Sequence, residues 1–192
     1  RPYPRAGWHG ETRGRVRTMT NYRPITDVWL LARSKVPYYG SFPAGFLGRA
    51  RDLLGVSLDD PVLHVCSGRV REYPYRGLGP RDKTLDLDAT LCPDFVHDAR
   101  DPLPLNQGHR WAAALLDRPY TLADAAHYPA GSGSWPDLTK LVANALRVAR
   151  RIGVLDYVIP RPPKQTRFVA CVGVVVGFGN RGRFFSVFDS SE

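Results

Sequence analysis

The sequence has no long hydrophobic run. The longest, Phe168 to Phe178, is broken by glycines and too short to cross a bilayer, so no membrane span is expected. No stretch carries the charged, apolar and small-residue order of a secretory signal. Cysteine is scarce, and Cys66, Cys92 and Cys171 are odd in number and far apart, which fits a reducing, cytoplasmic setting better than a disulfide framework. His9, His64, His97, His109 and His127 share no ligand spacing with them, so no metal site is expected. GxGxxG is missing, which denies a dinucleotide pyrophosphate its usual cradle. The absence of GxxxxGK and GxSxG removes the nucleotide-triphosphatase and hydrolase readings. No internal repeat is visible.

What is present suits one globular domain. The 192 residues are 43% hydrophobic and 23% charged, enough for an ordinary core, while 17 prolines and 18 glycines cut the chain into short elements. A net charge of +9 points to an anionic partner such as nucleic acid. Much of that charge is local: residues 1–18 hold five arginines against Glu11 and show no periodicity. They precede Met19, the single methionine. Residues 1–18 are therefore expected to be either a stretch ahead of the true start or a disordered basic arm, with 19–192 as the single domain.

Along that domain, Asn21 to Trp29 reads as extended and Val36 to Pro43 as a structured loop. A short amphipathic helix on Phe46, Leu47, Leu53 and Leu54 ends at Gly55. PVLHVCSG (Pro61 to Gly68) reads as a buried strand running into a turn. Thr84 to Asp88, Asp94 to Asp98 and Trp111 to Leu116 read as further strands, each ending at or before an aspartate. A helix is expected over Pro136 to Ile152, closed by Gly153, with Arg147, Arg150 and Arg151 in its last turns. A strand over Val154 to Ile159 follows. Phe168 to Val176 and Arg183 to Phe188 then form a hairpin across GFGNRG. Strands that end in acidic loops argue for an α/β architecture with a mainly parallel sheet, whose ligands bind at the strand carboxyl ends.

Four strand-end features are candidates for chemistry, and each alone has an ordinary structural explanation. VCSG (Val65, Cys66, Ser67, Gly68) lets backbone approach a ligand at Gly68, although any strand-to-helix turn can hold Ser-Gly. Asp86, with Asp88 beside it, follows about 20 residues later, where an acid accepts ribose hydroxyls, or is simply a solvated strand end. Asp98 stands at the third strand end, where it could meet an adenine amino group or simply belong to a common loop composition. LLDRPY delivers Asp117, Arg118, Pro119 and Tyr120 to the sheet rim, where a proline-stiffened aromatic offers a stacking face and the carboxylate an acceptor for an amine.

In this order the four features resemble the class I S-adenosylmethionine-dependent methyltransferases. They resemble in particular those acting on the amino groups of DNA bases (N6 of adenine, N4 of cytosine), whose fourth motif is DPPY. The resemblance covers about Ile25 to Phe188. It implies a Rossmann-like, mostly parallel seven-stranded sheet with a C-terminal antiparallel hairpin, and S-adenosyl-L-methionine as cofactor. By the same resemblance the cofactor lies over Cys66 to Gly68, with Asp86 near its ribose and Asp98 and Ala99 near its adenine, while Asp117, Pro119 and Tyr120 hold the target amine. Tyr38, Tyr39 and Gly40 resemble the segment that covers the cofactor. The sequence departs from the pattern with one glycine in the first motif and with Arg118 in place of the first proline of DPPY; Arg118 keeps its carbonyl as an acceptor, and its side chain could meet a phosphate.

The expected function is methylation of an exocyclic amine in a nucleic acid, N6 of adenine in DNA before N4 of cytosine. RNA or a small molecule as acceptor, and an inactive nucleic-acid-binding module, stand as alternatives. So short a chain is expected to have either loose target specificity or specificity supplied by short loops and a partner protein. GSGSW (Gly131 to Trp135) is either a mobile surface loop or one that grips a base.

Overall fold

The computed structural model describes residues 23–35, 38–39, 41–128, 135–164, 166–177 and 182–190. Residues 1–18, Met19, Gly40, Gly131 to Ser134 of the GSGSW loop and the centre of GFGNRG lie outside them. The elements run β1 (Ile25–Leu31), α1 (Phe46–Leu54), β2 (Val62–Val65), β3 (Lys83–Asp86), β4 (Phe95–Val96), β5 (Trp111–Leu116), α2 (Leu122–Ala125), α3 (Leu138–Val148), β6 (Ala149–Asp156), β7 (Thr166–Val176) and β8 (Arg183–Ser190).

One sheet has the order β1-β7-β8-β6-β5-β2-β3-β4. Only β8 is antiparallel to its neighbours, Phe188 pairing with Ile152 of β6 and with Phe168 of β7. The Rossmann-like architecture and the closing hairpin are as expected, but the sheet has eight strands, not seven. The additional strand is β1, which extends the sheet in parallel beyond β7, with Val28 beside Gly173. Its Asp27 carboxylate turns back to accept from Val28 N–H (2.7 Å) and Trp29 Nε1–H (3.1 Å). Among the described residues, only β7 pairs with β1.

Among the described residues, α1 packs on one face of the sheet and α3 on the other. Alternation along β5 sends Ala113 and Leu115 to the core under α1, with Trp29, Phe46, Leu47, Val172 and Phe185. Ala114 and Leu116 go to the core under α3, with Leu141, Val142, Ala145, Ile152 and Phe188. α1 stops where expected, at Gly55 (φ 63), and Arg151 donates to its last carbonyl, Leu54 O, at 2.8 Å. α3 starts at an Asp137 cap but is shorter than expected: the chain enters β6 at Ala149, so Arg150 and Arg151 lie in a strand and Gly153 is a strand residue. Apolar periodicity misplaces this boundary because β6, buried between β5 and β8, is as apolar as the helix before it. Gly153 serves packing rather than capping, since a Cβ there would stand 2.5 Å from the Phe185 ring. No described helix is long and apolar enough to cross a membrane.

A buried carboxylate ties the amino ends of the central strands to α1. Asp82, just before β3, accepts from Arg51 Nη1 (3.0 and 2.9 Å), Val62 N (3.2 Å) and Gly79 N (2.8 Å), and lies 3.0 Å from His64 Nε2. Arg51 also donates to Ser57 O and Asp60 O, folding the 56–60 loop around the pair. Burial alone would raise the Asp82 pKa; His64, the Gly79 N–H and Arg51 outweigh it and hold the carboxyl below its ordinary value. Its stabilisation is therefore present above the ordinary carboxylate range and is lost as pH falls below it. Asp82→Ala strands the Arg51 charge in the core, and we expect a loss on the order of 3 to 5 kcal/mol in urea unfolding at neutral pH, shrinking in acid.

Candidate active site

The strand order reverses at β2. From it the chain moves to β3 and β4 on one side, while β5 and β6 lie on the other, so a crevice opens over the carboxyl ends of β2 and β5. A cleft of about 1020 Å³, counting the space open to solvent at its mouth, occupies this position.

The turn after β2 forms its floor. Val65 is buried, and its carbonyl accepts from Asp117 N at 3.3 Å, joining the ends of β2 and β5. Cys66 (φ 55) and Gly68 (φ 49) both take the left-handed conformation, while Ser67 N donates to Leu85 O at 3.1 Å. A Cβ on Gly68 would lie 2.8 Å from the Tyr38 ring. The missing side chain thus creates a cradle, with Tyr38 across it and the Arg69 guanidinium 5.5 Å from that ring. Burial, assisted by Asp86 and Asp88, pushes the Tyr38 hydroxyl up to about 12. Burial also raises the Cys66 thiol, with Asp86 and Asp117 adding to the effect, which favours its neutral form.

Asp86, at the end of β3, accepts from Gly68 N (2.8 Å) on one oxygen and Asp88 N (3.1 Å) on the other. Each oxygen keeps a lone pair for a ligand hydroxyl. Asp88 caps the next turn by accepting from Thr90 N (2.9 Å) and Thr90 Oγ1 (2.7 Å). Asp98 is held by Arg100, whose Nε lies 2.9 Å from both of its oxygens, and this guanidinium keeps the carboxyl below its ordinary value. Ala99 is buried beside it. Asp86, Asp88, Asp98 and Ala99 line one end of the cleft together with Leu87, Leu91 and His97.

Asp117, Pro119, Ala125, Tyr128, Trp135 and Pro136 line the other end. Burial pushes the Asp117 carboxyl up to about 6, Arg183 and the Tyr120 hydrogen bond pull it down, and Asp156 raises it. Its Oδ1 accepts from the Tyr120 hydroxyl at 2.6 Å. Tyr120 sits behind Asp117 rather than in the cleft wall, its ring 4.5 Å from that of Tyr157. The Arg118 guanidinium, a candidate for phosphate, is buried 2.9 Å from Asp156 Oδ2. Tyr39 does not line the cleft; its hydroxyl donates to Asp124 at 2.5 Å and its ring stacks on His127 at 4.0 Å.

The structure thus brings Cys66, Ser67, Gly68, Asp86, Asp88, Asp98, Ala99, Asp117 and Pro119 to one cleft, and leaves Val65, Tyr39, Arg118 and Tyr120 around it. Sequence reasoning missed Tyr128, Asp156 and Arg183. Asp156 carried the same signal as the other acids, a strand end, hidden by the misplaced boundary of β6. Among the described residues no group of three His, Cys, Asp or Glu is placed to hold a metal.

Four carboxylates against Arg69 and Arg100 make this cleft unsuited to phosphates and suited to a cationic ligand with ribose-like hydroxyls. The Gly68 cradle, Asp86 and the adjoining apolar wall fit S-adenosylmethionine on these grounds: it has no phosphate, its sulfonium is positive and its ribose needs acceptors.

No protein-family model matches the chain, and no curated protein matches it. Solved structures do. TrmN from Thermus thermophilus superposes with a TM-score of 0.55 and 18% identity, over 79% of this chain and 50% of that one. PH1948 from Pyrococcus horikoshii, provisionally described as an RNA methyltransferase, does so with a TM-score of 0.50 and 10% identity, over 84% of this chain and 93% of that one. The likeness is one of fold, and this chain spans half the length of TrmN.

The raised Asp117 carboxyl has a stability consequence with a definite sign. Between the ordinary value of 3.8 and about 6 the folded state binds more protons than the unfolded, so this group's contribution falls as pH rises through that window. Asp117→Asn removes it. The melting temperature of the variant should gain on the wild type from pH 4 to pH 7, as followed by circular dichroism.

Proposed function

We propose that the chain is an S-adenosylmethionine-dependent methyltransferase acting on an exocyclic amine of a nucleic-acid base, N6 of adenine in DNA. The observation that carries this reading is that Asp86 and Asp117, at the carboxyl ends of the two strands that flank β2, line one cleft. The fold shared with PH1948 supports it, and the description of that protein favours RNA as the second reading of the acceptor.

When bound, the cofactor supplies a methyl group on a sulfonium, open to in-line displacement. Asp86 holds the ribose hydroxyls through the lone pairs left by Gly68 N and Asp88 N. Cys66 to Gly68 form the floor and Tyr38 covers it, and Asp98 with Ala99 would edge the adenine. Asp117 accepts a hydrogen of the target amine as positive charge develops there. Tyr128 and Trp135 offer aromatic surfaces for the base, which in a duplex must first leave the stack. The remaining work is alignment at near-attack distance and exclusion of water.

Asp117→Ala should lower kcat about a hundredfold with little change in cofactor Kd, because this carboxylate is used mainly in the transition state. Asp86→Ala should weaken cofactor binding roughly tenfold, the loss of a charge-assisted hydrogen bond. Wild-type kcat should fall below about pH 6, where Asp117 takes up a proton and can no longer accept. Calorimetry with S-adenosylmethionine and transfer of labelled methyl to DNA and RNA check all three. Absence of cofactor binding refutes the reading, and labelling of RNA alone moves the acceptor to the second one.

A further inference from the structure

Behind the cleft wall a residue from the closing hairpin reaches the acceptor carboxylate. The Tyr120 hydroxyl donates to Asp117 Oδ1 at 2.6 Å and itself accepts from Arg183 Nη1 at 3.2 Å. Arg183 is the first residue of β8, and Tyr120 follows β5 by four positions, so the chain from cation to phenol to carboxylate spans two strands that are not neighbours. We infer that Arg183 is a positioning residue for methyl transfer, setting the orientation and charge of Asp117 through the Tyr120 hydroxyl. The inference rests on the acceptor role given to Asp117 above.

The arrangement leaves Asp117 one free oxygen. Oδ1 is taken by Tyr120, whereas Oδ2 has no hydrogen bond among the described residues, and Asp117 lines the cleft. The phenol thereby fixes which oxygen faces a ligand, and it is fixed in turn by its ring contact with Tyr157 at 4.5 Å and by Arg183. A hydrogen-bonded chain that begins on a guanidinium and ends on a carboxylate is polarised along its length, which strengthens the last bond and favours the ionised acid.

The groups facing Asp117 show why this cation is needed. Cys66 and Tyr128 are neutral neighbours, and both are pushed toward their protonated forms by burial and by Asp117. Asp156, at the end of β6, opposes ionisation of Asp117. Arg118, adjacent in sequence, lies 2.9 Å from Asp156 and neutralises that carboxylate instead. Among the described residues, Arg183 is then the cation that offsets burial at Asp117. This division of labour gives the arginine of DRPY its place: it is a counterion to Asp156, which leaves Arg183 to the acceptor acid.

The test follows the Asp117 carboxyl carbon by NMR across pH in ligand-free full chain, for wild type, Arg183→Met, Arg183→Lys and Tyr120→Phe. Methyl-transfer pH profiles are recorded alongside. Loss of a nearby opposite charge should move the Asp117 midpoint up by about one pH unit or more in Arg183→Met. Tyr120→Phe should move it in the same direction, and Arg183→Lys should stay near wild type. The acid limb of kcat should move with the midpoint, with activity recovering toward the wild-type plateau at higher pH. A folded Arg183→Met protein whose Asp117 midpoint is unmoved, or whose kcat falls equally at every pH, overturns the inference. If Arg183→Met does not fold, the Tyr120→Phe midpoint decides by the same criterion. Should the midpoints move while the wild type methylates no nucleic acid, the coupling is upheld and the functional reading is what fails.

Discussion

Everything at the cleft depends on where β2 stops, and that is set at its other end. Asp82 gathers donors from Arg51, Val62, Gly79 and His64 at the point where β2 and β3 begin. A strand of four residues has little register of its own, so fixing its first residue fixes its last. From there the turn at Cys66 to Gly68 is closed by the carboxylate of the next strand, Asp86 to Gly68 N, and by Val65 O to Asp117 N on the other flank. Asp82 and Asp86 thus do different work at the two ends of β3, one before its first residue and one at its last. Replacing the Asp82 cluster with apolar residues of the same volume could keep the stability but not the set of backbone donors that positions the start of β2.

The order of elements was legible because the cues were local. Gly55 ends α1, a helix does follow Pro136, and the GFGNRG stretch separates two strands that do pair antiparallel. What was not legible depends on long-range contact. Ala149 to Ile152 reads as helix by its apolar spacing, and becomes a strand because β5 and β8 close on both edges of it. β1 was read as extended, but nothing local announces that it extends the sheet beyond β7.

The site was legible to a similar depth. Acids at strand ends can be read from a sequence once the strands are placed, and Asp86, Asp98 and Asp117 do reach a common cleft. Direction cannot be read that way. Tyr38 and Tyr39 are consecutive, yet one crosses the glycine cradle while the other turns to Asp124. Arg118 looked free for an anion because its partner, Asp156, lies 38 positions away on a strand whose end had been misplaced. The same contact explains how an arginine is buried at position 118: desolvating a guanidinium is costly unless a carboxylate is already buried there to meet it.

The outer edge of β1 bears on how the protein behaves in a crowded solution. Ile25, Val28 and Leu30 are exposed along a strand that, among the described residues, pairs on one side only, a geometry that invites an unrelated strand to add on. Asp27 stands in the middle of that edge, and its carboxylate already occupies the Val28 N–H. An incoming strand would meet a negative charge in place of a donor, and to pair there it would have to break that bond and desolvate the acid. One short side chain thus acts as a gatekeeper against aggregation, allowing the strand to keep its apolar surface without templating further growth of the sheet.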